Sequence, residues 1–309
     1  MKVLIYILLG IMILILLVLG LYLIIGYSAY KFVLKRNGGM KKRLIKNYHQ
    51  HLQKVGSDEG FFDDNFQKIQ IESQDKLKLF GFYKSNNSNR LAILVHGYAG
   101  DHMEVANAGQ IFDKKGYDIL AIDMRSHGLS EGEVFTMGKN ESEDLLLWIN
   151  KALEINNNYK IVLYGQSMGA STVCLTIGEK IPNNVVLAIE DCGYDNVEKQ
   201  FSYVYSKQKI HFKFLFKIFS FFTKNTMELN LKSIDAISKL KQAKIPVLFI
   251  HGEKDDFVPT EMVYNLSSQI PESRRWVYIA PEAGHVMSYA VDPKKYERKI
   301  NEFLSAYNM

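Results

Sequence analysis

The sequence predicts an α/β protein in which a mostly parallel twisted sheet carries helices on both faces, preceded by an N-terminal transmembrane helix. Short apolar runs alternate with longer stretches of helical periodicity from residue 91 to residue 307, which is typical of parallel strands joined by crossover helices. An almost unbroken apolar run also covers Val3 to Ile25. The 309 residues, of which 47% are hydrophobic, are enough for one large core besides that run.

The apolar run is long enough to cross a hydrocarbon layer of about 30 Å as a single helix. A cleavable signal peptide is the alternative, but its apolar region usually covers only about 7–15 residues. We therefore expect residues 1–34 to form a retained, single-pass anchor in the cell membrane.

The formal net charge of +5 is unevenly distributed along the chain. Nine of the 38 Lys and Arg residues lie between Lys2 and Lys54, where Asp and Glu are absent, which leaves 29 basic against 33 acidic residues downstream. Most of the nine follow the apolar run, so the positive-inside tendency favours a main domain on the cytoplasmic side, close to anionic headgroups. Nucleic acid is not an expected partner, because the remaining chain is acidic overall and has no recognisable nucleic-acid-binding module.

Residues 35–65 are predicted to be a basic linker or packing segment, and the main domain is predicted at 66–309. Lys68–Ser73 and Leu77–Tyr83 alternate around a turn, as expected of an antiparallel strand pair. Further strands are predicted at 91–95, 118–122, 160–164, 185–190, 246–250 and 275–280. Helices are predicted near 103–115, 139–156, 167–181, 260–270 and 292–307.

One connection is unusually long. More than fifty residues separate the strand that ends at Glu190 from the strand that starts at Pro246, and we predict a helical cap or lid insertion at about 193–243. Nine residues from Phe201 to Phe222 are Phe or Tyr, and Lys207, Lys209, Lys213 and Lys217 lie between them. Such an aromatic surface is typical of helices folded over a cleft, and direct contact with the bilayer is the second interpretation.

The strongest local signal for chemistry is Gly165-Gln166-Ser167-Met168-Gly169, between a predicted strand and a predicted helix. A serine on such a sharp turn needs glycine neighbours, because the backbone is strained and adjacent chains pass closely. The amino end of the following helix favours the negative charge that forms during acyl transfer. Ser167 is therefore the candidate nucleophile, with Gly165 and Gly169 as elbow glycines.

A nucleophilic serine needs a base and a carboxylate that orients the base. His285 is the candidate base because it follows the last predicted strand, at the sheet edge where catalytic groups collect. Asp255 is the candidate acid on loop spacing, its neighbour Asp256 stays open, and Asp191 is a further alternative. The other histidines are expected to shape loops, as at His96, His127 and His251, or to have surface or packing roles, as at His49, His51, His102 and His211.

An oxyanion hole needs two backbone donors that point at the developing negative oxygen. The amide of Met168, directly after the nucleophile, is one candidate. The amide of Tyr98, in the turn His96-Gly97-Tyr98-Ala99-Gly100 after a predicted strand, is the other. No cofactor or metal is expected, since the sequence has no zinc motif of paired Cys or His spacing and no phosphate-binding loop.

The order Ser167, Asp255, His285, together with HGYAGD at 96–101, DMRSHGLSEG at 123–132 and HGEKDDFVP at 251–259, resembles the alpha/beta-hydrolase superfamily. The chain is similar in particular to bacterial, membrane-anchored esterases and lysophospholipase-like or S33-peptidase-like hydrolases. The resemblance covers roughly residues 66–307. It implies the alpha/beta-hydrolase fold and a cofactor-free Ser-His-Asp acyl transfer, whereas the anchor and the aromatic insertion depart from soluble relatives and leave the substrate open.

From these features we expect a serine hydrolase of carboxylic esters, with apolar or lipid-like acyl esters as substrates. A peptidase, a thioesterase and an acyltransferase use the same acyl-enzyme and stay open as alternatives. A non-catalytic binding protein is the alternative from a different class, and the complete set of candidate residues argues against it. The sequence does not indicate an oligomeric state.

Overall fold

The computed structural model describes residues 2–45, 48–58, 60–206 and 212–309, and one eight-stranded sheet lies at its centre. The strands are arranged in the order β1-β2-β4-β3-β5-β6-β7-β8. β1 and β2 form an antiparallel pair, β2 is antiparallel to β4, and all the other pairs are parallel. The strands are β1 Gln67–Glu72, β2 Lys78–Lys84, β3 Arg90–Val95, β4 Asp118–Ile122, β5 Lys160–Gln166, β6 Val185–Asp191, β7 Val247–Gly252 and β8 Arg275–Ala280.

The strand order changes direction beside β3. The chain passes from β3 to β4 on one side and then returns to β5 on the other side. Val95 pairs with Gly165, Gln166 with Asp191, and Asp191 with Ile250, so the loops after these strands leave the same edge of the sheet. A crevice at the carboxyl edge beside such a reversal is the usual ligand site of an open parallel sheet.

The central strands are buried on both faces. Leu91, Ile93 and Val95 of β3 belong to one hydrophobic core, whereas Ala92 and Leu94 belong to the other, and all five are fully buried. Because successive strand residues point to opposite faces, a run without polar residues is the expected sequence of such a strand.

Helices cover the two faces, and the mostly parallel α/β architecture predicted from the sequence is confirmed. The first core includes residues of α5, α6 and α10, and the second includes residues of α4 and α12. The helices are α1 Lys2–Val33, α2 Gly39–Leu44, α3 Tyr48–Lys54, α4 Ala106–Lys114, α5 Lys139–Ile155, α6 Met168–Ile177, α7 Val197–Ser206, α8 Phe212–Met227, α9 Ala236–Leu240, α10 Glu261–Ser267, α11 Ser288–Val291 and α12 Pro293–Ala306. Short 3₁₀ helices lie at His102–Val105, Leu231–Ser233 and Glu272–Arg274.

The N-terminal helix α1 is 32 residues long and apolar enough to cross a membrane. Its large side chains from Val3 to Leu19 are exposed. A bilayer core takes about 20 helical residues, so α1 is longer than one crossing requires. Val33 and the next residue, Leu34, are buried in the first core, so the end of this helix packs as part of the folded domain.

The long connection between β6 and β7 contains α7, α8 and α9. α8 packs along the last turns of α1, where Tyr22 lies 5.6 Å from Phe221 between ring centroids and Gly26 contacts the ring of Phe222. A side chain at Gly26 would overlap that ring. Lys207, Lys209 and His211 of the aromatic segment, and the side chain of Lys213, lie outside the described residues.

The domain boundaries at residues 34 and 65, and the lid role of residues 193–243, stay predictions. The packing of α1 and α8 is relevant to both predictions. α8 contacts α1 as well as α7, and Leu34 is in the same core as the sheet. The anchor, the connection and the sheet are therefore in direct contact.

Candidate active site

Ser167 lies between β5 and α6, at the carboxyl edge of the sheet. Its backbone has φ +53° and ψ −118°, a conformation that a residue with a side chain rarely adopts. The Ser167 amide donates a 2.8 Å hydrogen bond to the Asp191 carbonyl at the end of β6. This bond to a neighbouring strand holds the strained turn, and only 6% of the serine remains exposed.

The two elbow glycines lie where side chains would not fit. A Cβ on Gly169 would overlap the Val95 and His96 carbonyl oxygens, and a Cβ on Gly165 would overlap the Gly169 carbonyl. The first turn of α6 thus passes directly against the end of β3. This close contact explains why the motif needs glycine at both positions.

Ser167, His285 and Asp255 form a continuous hydrogen-bonded chain. Ser167 Oγ lies 2.8 Å from His285 Nε2, and His285 Nδ1 lies 2.7 Å from Asp255 Oδ2. His285 follows β8 and Asp255 follows β7, so three different strand ends contribute. With the Nδ1 proton on the carboxylate side, Nε2 is free to accept the serine proton, which is the arrangement that general-base catalysis needs.

The carboxylate beside His285 is Asp255. Its neighbour Asp256 is exposed. Asp191 lies beneath the site, where its Oδ2 accepts hydrogen bonds from the hydroxyls of Tyr296 at 2.6 Å and Tyr164 at 3.2 Å. Asp191 thus supports the turn through its carbonyl and a buried tyrosine pair through its side chain.

Asp255 is held as a carboxylate by its surroundings. Burial opposes its ionisation, but His285 and His251 beside it hold the pKa of Asp255 well below its usual range. Its Oδ1 accepts the Phe257 amide at 2.9 Å and the Val258 amide at 2.8 Å. The loop therefore fixes one oxygen and leaves the other for the imidazole.

The candidate oxyanion donors lie on either side of Ser167. Met168 is the first residue of α6, where helix amides have no intrahelical partner. In the loop after β3, the Gly97 amide donates to Glu104 Oε2 at 2.9 Å and the Ala99 amide donates to His127 Nε2 at 3.1 Å. No hydrogen bond from the Tyr98 amide, which lies between these two, is found among the described residues.

The remaining described histidines bond to the loops around the site. His96 Nε2 accepts the Met124 amide at 3.1 Å, and His251 Nε2 donates to the Val258 carbonyl at 2.9 Å. Burial lowers the pKa of His127 well below its usual range, which suits its role as acceptor for the Ala99 amide. His102 pairs with Asp123 at 2.9 Å. His211 and the side chain of His49 lie outside the described residues.

The cleft above Ser167 has a volume of about 200 Å³. The sequence did not indicate six of its lining residues, because they come from segments far apart in the chain. These are Leu44, Ile45, His51, Glu104, Phe257 and Val286. Three of them, Leu44, Ile45 and His51, come from the stretch after the anchor, so that stretch forms a wall of the cleft.

Backbone strain is concentrated around the cleft. Ala99, Ser167, Cys192 and Val286 all have positive φ values, between 53° and 68°. A β-branched residue such as Val286 is especially unfavourable there. Strain of this kind costs roughly 1–3 kcal/mol per residue and persists only where the surrounding structure holds it, as at functional sites.

A buried acid, Glu190, lies beneath the elbow and supports the next loop. Its Oε1 accepts the Gly193 amide, and within the described residues its Oε2 has no hydrogen-bond partner. Burial raises the pKa of Glu190 to about 8, and His251 offsets this only in part.

We expect the Glu190→Gln variant to show a flatter dependence of stability on pH. Unfolded Glu has a pKa of about 4.3, so between about pH 4.3 and 8 the unfolded chain loses a proton that the folded chain retains. Wild-type stability therefore falls as pH rises through this window. The variant should gain on the order of 3 kcal/mol relative to wild type between pH 5 and pH 8. Chemical denaturation at several pH values in that range measures the free energy of unfolding. If this free energy falls equally with pH in both proteins, the prediction is contradicted.

One group among the described residues has three potential metal ligands, namely Cys192, Asp255 and His285. The hydrogen bond between Asp255 and His285 already uses two of them. Burial raises the pKa of the Cys192 thiol well above its usual range, and a protonated thiol is a poor ligand. These residues therefore fit an acid–histidine pair better than a metal centre.

Comparison with known proteins bears on the fold around this site. The family described as serine aminopeptidase, S33, matches residues 86–190, which include Ser167 and the Tyr98 loop. A structure of the Pyrococcus furiosus esterase Pf2001 superimposes with a TM-score of 0.65 at 22% identity, and covers 82% of this chain and 93% of that one. The alpha/beta-hydrolase fold implied by the motifs is confirmed.

Two curated relatives cover most of the chain. YqkD of Bacillus subtilis is 27% identical over 222 residues, which are 70% of this chain and 71% of that protein. YNL320W of Saccharomyces cerevisiae, named a membrane protein, is 22% identical over 222 residues, which are 71% of this chain and 73% of that protein.

Proposed function

We propose that this chain, a member of the alpha/beta-hydrolase superfamily, is a membrane-anchored serine hydrolase that cleaves carboxylic esters. The observation on which the proposal depends is the unbroken chain of hydrogen bonds from Ser167 Oγ to His285 Nε2 at 2.8 Å and from His285 Nδ1 to Asp255 Oδ2 at 2.7 Å. A strained serine beside two available backbone amides is the arrangement that acyl transfer requires.

In the proposed reaction, Ser167 Oγ bonds to the ester carbonyl carbon while His285 Nε2 takes the serine proton. The carbonyl oxygen becomes an oxyanion that accepts hydrogen bonds from the amides of Tyr98 and Met168. The bond to the leaving alcohol then breaks, and the alcohol takes the proton from His285. Water, deprotonated by His285, attacks the acyl-serine, and the bond from the acyl carbon to Ser167 Oγ breaks. Ser167 Oγ takes the proton back from His285, and the acid is released. Asp255 orients the imidazole and stabilises its positive charge in both halves.

The cleft favours apolar acyl groups. Its wall includes Leu44, Ile45, Phe257 and Val286 besides the polar groups that the reaction uses. The peptidase alternative needs a charged group to bind a peptide terminus. Glu104 lines the cleft, but its two oxygens accept the Gly97 amide at 2.9 Å and pair with His51 at 2.7 Å. Esters are therefore favoured over peptides with a free amino terminus.

We further propose that α1 anchors the enzyme in the cell membrane with its active site on the cytoplasmic side. The apolar α1 and the name of the yeast relative support the membrane location, and Lys31, Lys35 and Arg36 after the apolar stretch support the orientation. External protease added to intact cells should spare the folded domain. Digestion of the folded domain in intact cells would place the domain on the outer side of the membrane and contradict the proposed orientation.

We expect the full-length enzyme, in detergent micelles, to hydrolyse p-nitrophenyl esters with a maximum at an acyl chain shorter than palmitate, because the cleft is only about 200 Å³. Rates from acetate to palmitate measure this. The p-nitroanilides of the same acids are the matched comparison, and they should react more slowly. Faster anilide cleavage would favour a peptidase, whereas no turnover of either series would contradict the proposal.

A further inference from the structure

The carbonyls of the last residue of α1 and of the residue after it bond to the folded domain. The Tyr98 hydroxyl donates a 2.6 Å hydrogen bond to the Val33 carbonyl, and the Phe135 amide donates a 2.7 Å bond to the Leu34 carbonyl. The Tyr98 ring also lies 4.8 Å from the Phe135 ring, in an edge-on contact. Helix carbonyls at a carboxyl end need partners from outside the helix. Here the residue that supplies one of them, Tyr98, belongs to the loop beside Ser167.

The chain after α1 is held to the same region. Arg36 donates through its guanidinium to the Gly128 carbonyl at 2.6 Å and the Ser130 carbonyl at 2.7 Å. Its amide donates to the Glu133 carbonyl at 2.8 Å. With these hydrogen bonds and a fourth, from the guanidinium to the Gly132 carbonyl at 3.5 Å, the orientation of the anchor relative to the cleft is defined. The connection therefore differs from a flexible tether.

A second link runs from α3 to the loop that contains Tyr98. His51 Nε2 lies 2.7 Å from Glu104 Oε1, and the other oxygen of Glu104 accepts the Gly97 amide at 2.9 Å. The Glu104 side chain is 4% exposed and that of His51 is 22% exposed. Burial opposes ionisation of Glu104, but His51 lowers its pKa below the usual range, which keeps the acceptor charged. Hydrogen bonds to a buried carboxylate are stronger than those between neutral groups.

Two successive residues of the oxyanion loop, defined as His96–Gly100, are thus held by the end of α1 and by the segment that follows it. Gly97 is held through Glu104 and His51, and Tyr98 is held through the Val33 carbonyl. A Cβ on Gly97 would lie only 3.2 Å from Ser167 Cβ, so the loop directly borders the nucleophile. A shift of the loop would move the Tyr98 amide relative to the oxyanion.

We infer that the segment from Val33 to His51, in its described residues, positions the oxyanion loop for catalysis. His51 and the Val33 carbonyl are positioning groups, so the membrane anchor is coupled to the reaction centre. This inference rests on the proposed ester hydrolysis. It predicts that substitutions that disturb the contacts of this segment change kcat more than KM. The reason is that the oxyanion forms only during the reaction and not when the substrate binds.

The test compares full-length His51→Ala and Tyr98→Phe with wild type. Each variant should lower kcat for a p-nitrophenyl ester roughly 10- to 100-fold, while KM changes less than about threefold. His51→Gln, which retains a donor toward Glu104, should recover part of the loss. Tyr83→Phe is the matched control, since it removes a tyrosine hydroxyl bonded to Asp118 and Tyr159 at the opposite edge of the sheet, and its kcat should match wild type.

Hydrogen–deuterium exchange of peptides that cover residues 96–101 gives a readout independent of turnover. Exchange of these amides should be faster in His51→Ala than in wild type, and unchanged in Tyr83→Phe. Equal exchange and equal kcat in His51→Ala would overturn the inference and leave the proposed ester hydrolysis intact. If wild type cleaves no ester, the proposed function fails, and unchanged exchange would then overturn the coupling as well.

Discussion

Replacing Ser167 by alanine is expected to lower kcat for p-nitrophenyl esters by about 10⁴-fold or more, because no other group can form the acyl-enzyme. The hydroxyl lies 2.8 Å from His285 Nε2 and is the nucleophile of the proposed reaction. Removing it leaves His285, Asp255 and the two amides in place. The residual rate would then reflect substrate binding and the oxyanion donors alone.

The same variant should fold normally. Alanine and serine are equally strained at φ +53°, and the elbow is held by the bond from the residue 167 amide to the Asp191 carbonyl, which the substitution retains. The melting temperature should stay within about 2 °C of wild type. Labelling with a fluorophosphonate probe is a second measurement, and wild type alone should react. Unchanged turnover or labelling in Ser167→Ala would exclude this serine as nucleophile.

Replacing Asp255 by asparagine is expected to lower kcat by on the order of 10⁴-fold. The asparagine oxygen can still accept the Phe257 and Val258 amides, as Oδ1 does now. Its NH₂ group would then face His285 Nδ1 and stabilise the tautomer that carries the proton on Nε2. That nitrogen could no longer accept the serine proton.

The pKa of Asp255 lies well below its usual range, so its charge should persist into acidic solution. A carboxylate with a lowered folded pKa contributes stability above its unfolded pKa of about 3.9 and loses it as pH falls through the folded value. Any loss of activity between pH 5 and pH 7 should therefore not arise from protonation of Asp255.

Asp256→Asn is the matched control for this prediction. The residue is adjacent in sequence and equal in charge, but its side chain is exposed. Its kcat should stay within about twofold of wild type, since surface charge changes have small effects. Kinetics of the two variants under the same conditions would separate the assignments. If Asp256→Asn lost most of its kcat while Asp255→Asn stayed active, the catalytic acid would be Asp256 and not Asp255.

Much of the architecture follows from the sequence alone. Apolar runs such as Ile161–Tyr164 can be buried on both faces only in a central strand, and the helical stretches between them require crossover connections. The glycines around Ser167 and the histidine after the last strand are local signals, because turn geometry depends on residues close in sequence. The candidate nucleophile, base and acid could therefore be proposed before their distances were known.

Contacts between distant segments could be decided only by the tertiary structure. His51 and Glu104 are 53 positions apart, and Val33 and Tyr98 are 65 apart. Neither pair leaves a periodic pattern, because a single side-chain contact constrains no neighbouring residue. The choice between Asp255 and Asp256 likewise depends on which carboxylate the loop amides turn inward. The sequence by itself determined the positions of the strands along the chain and the residues at their ends, whereas packing decided the order of the strands in the sheet and brought the end of α1 against the oxyanion loop.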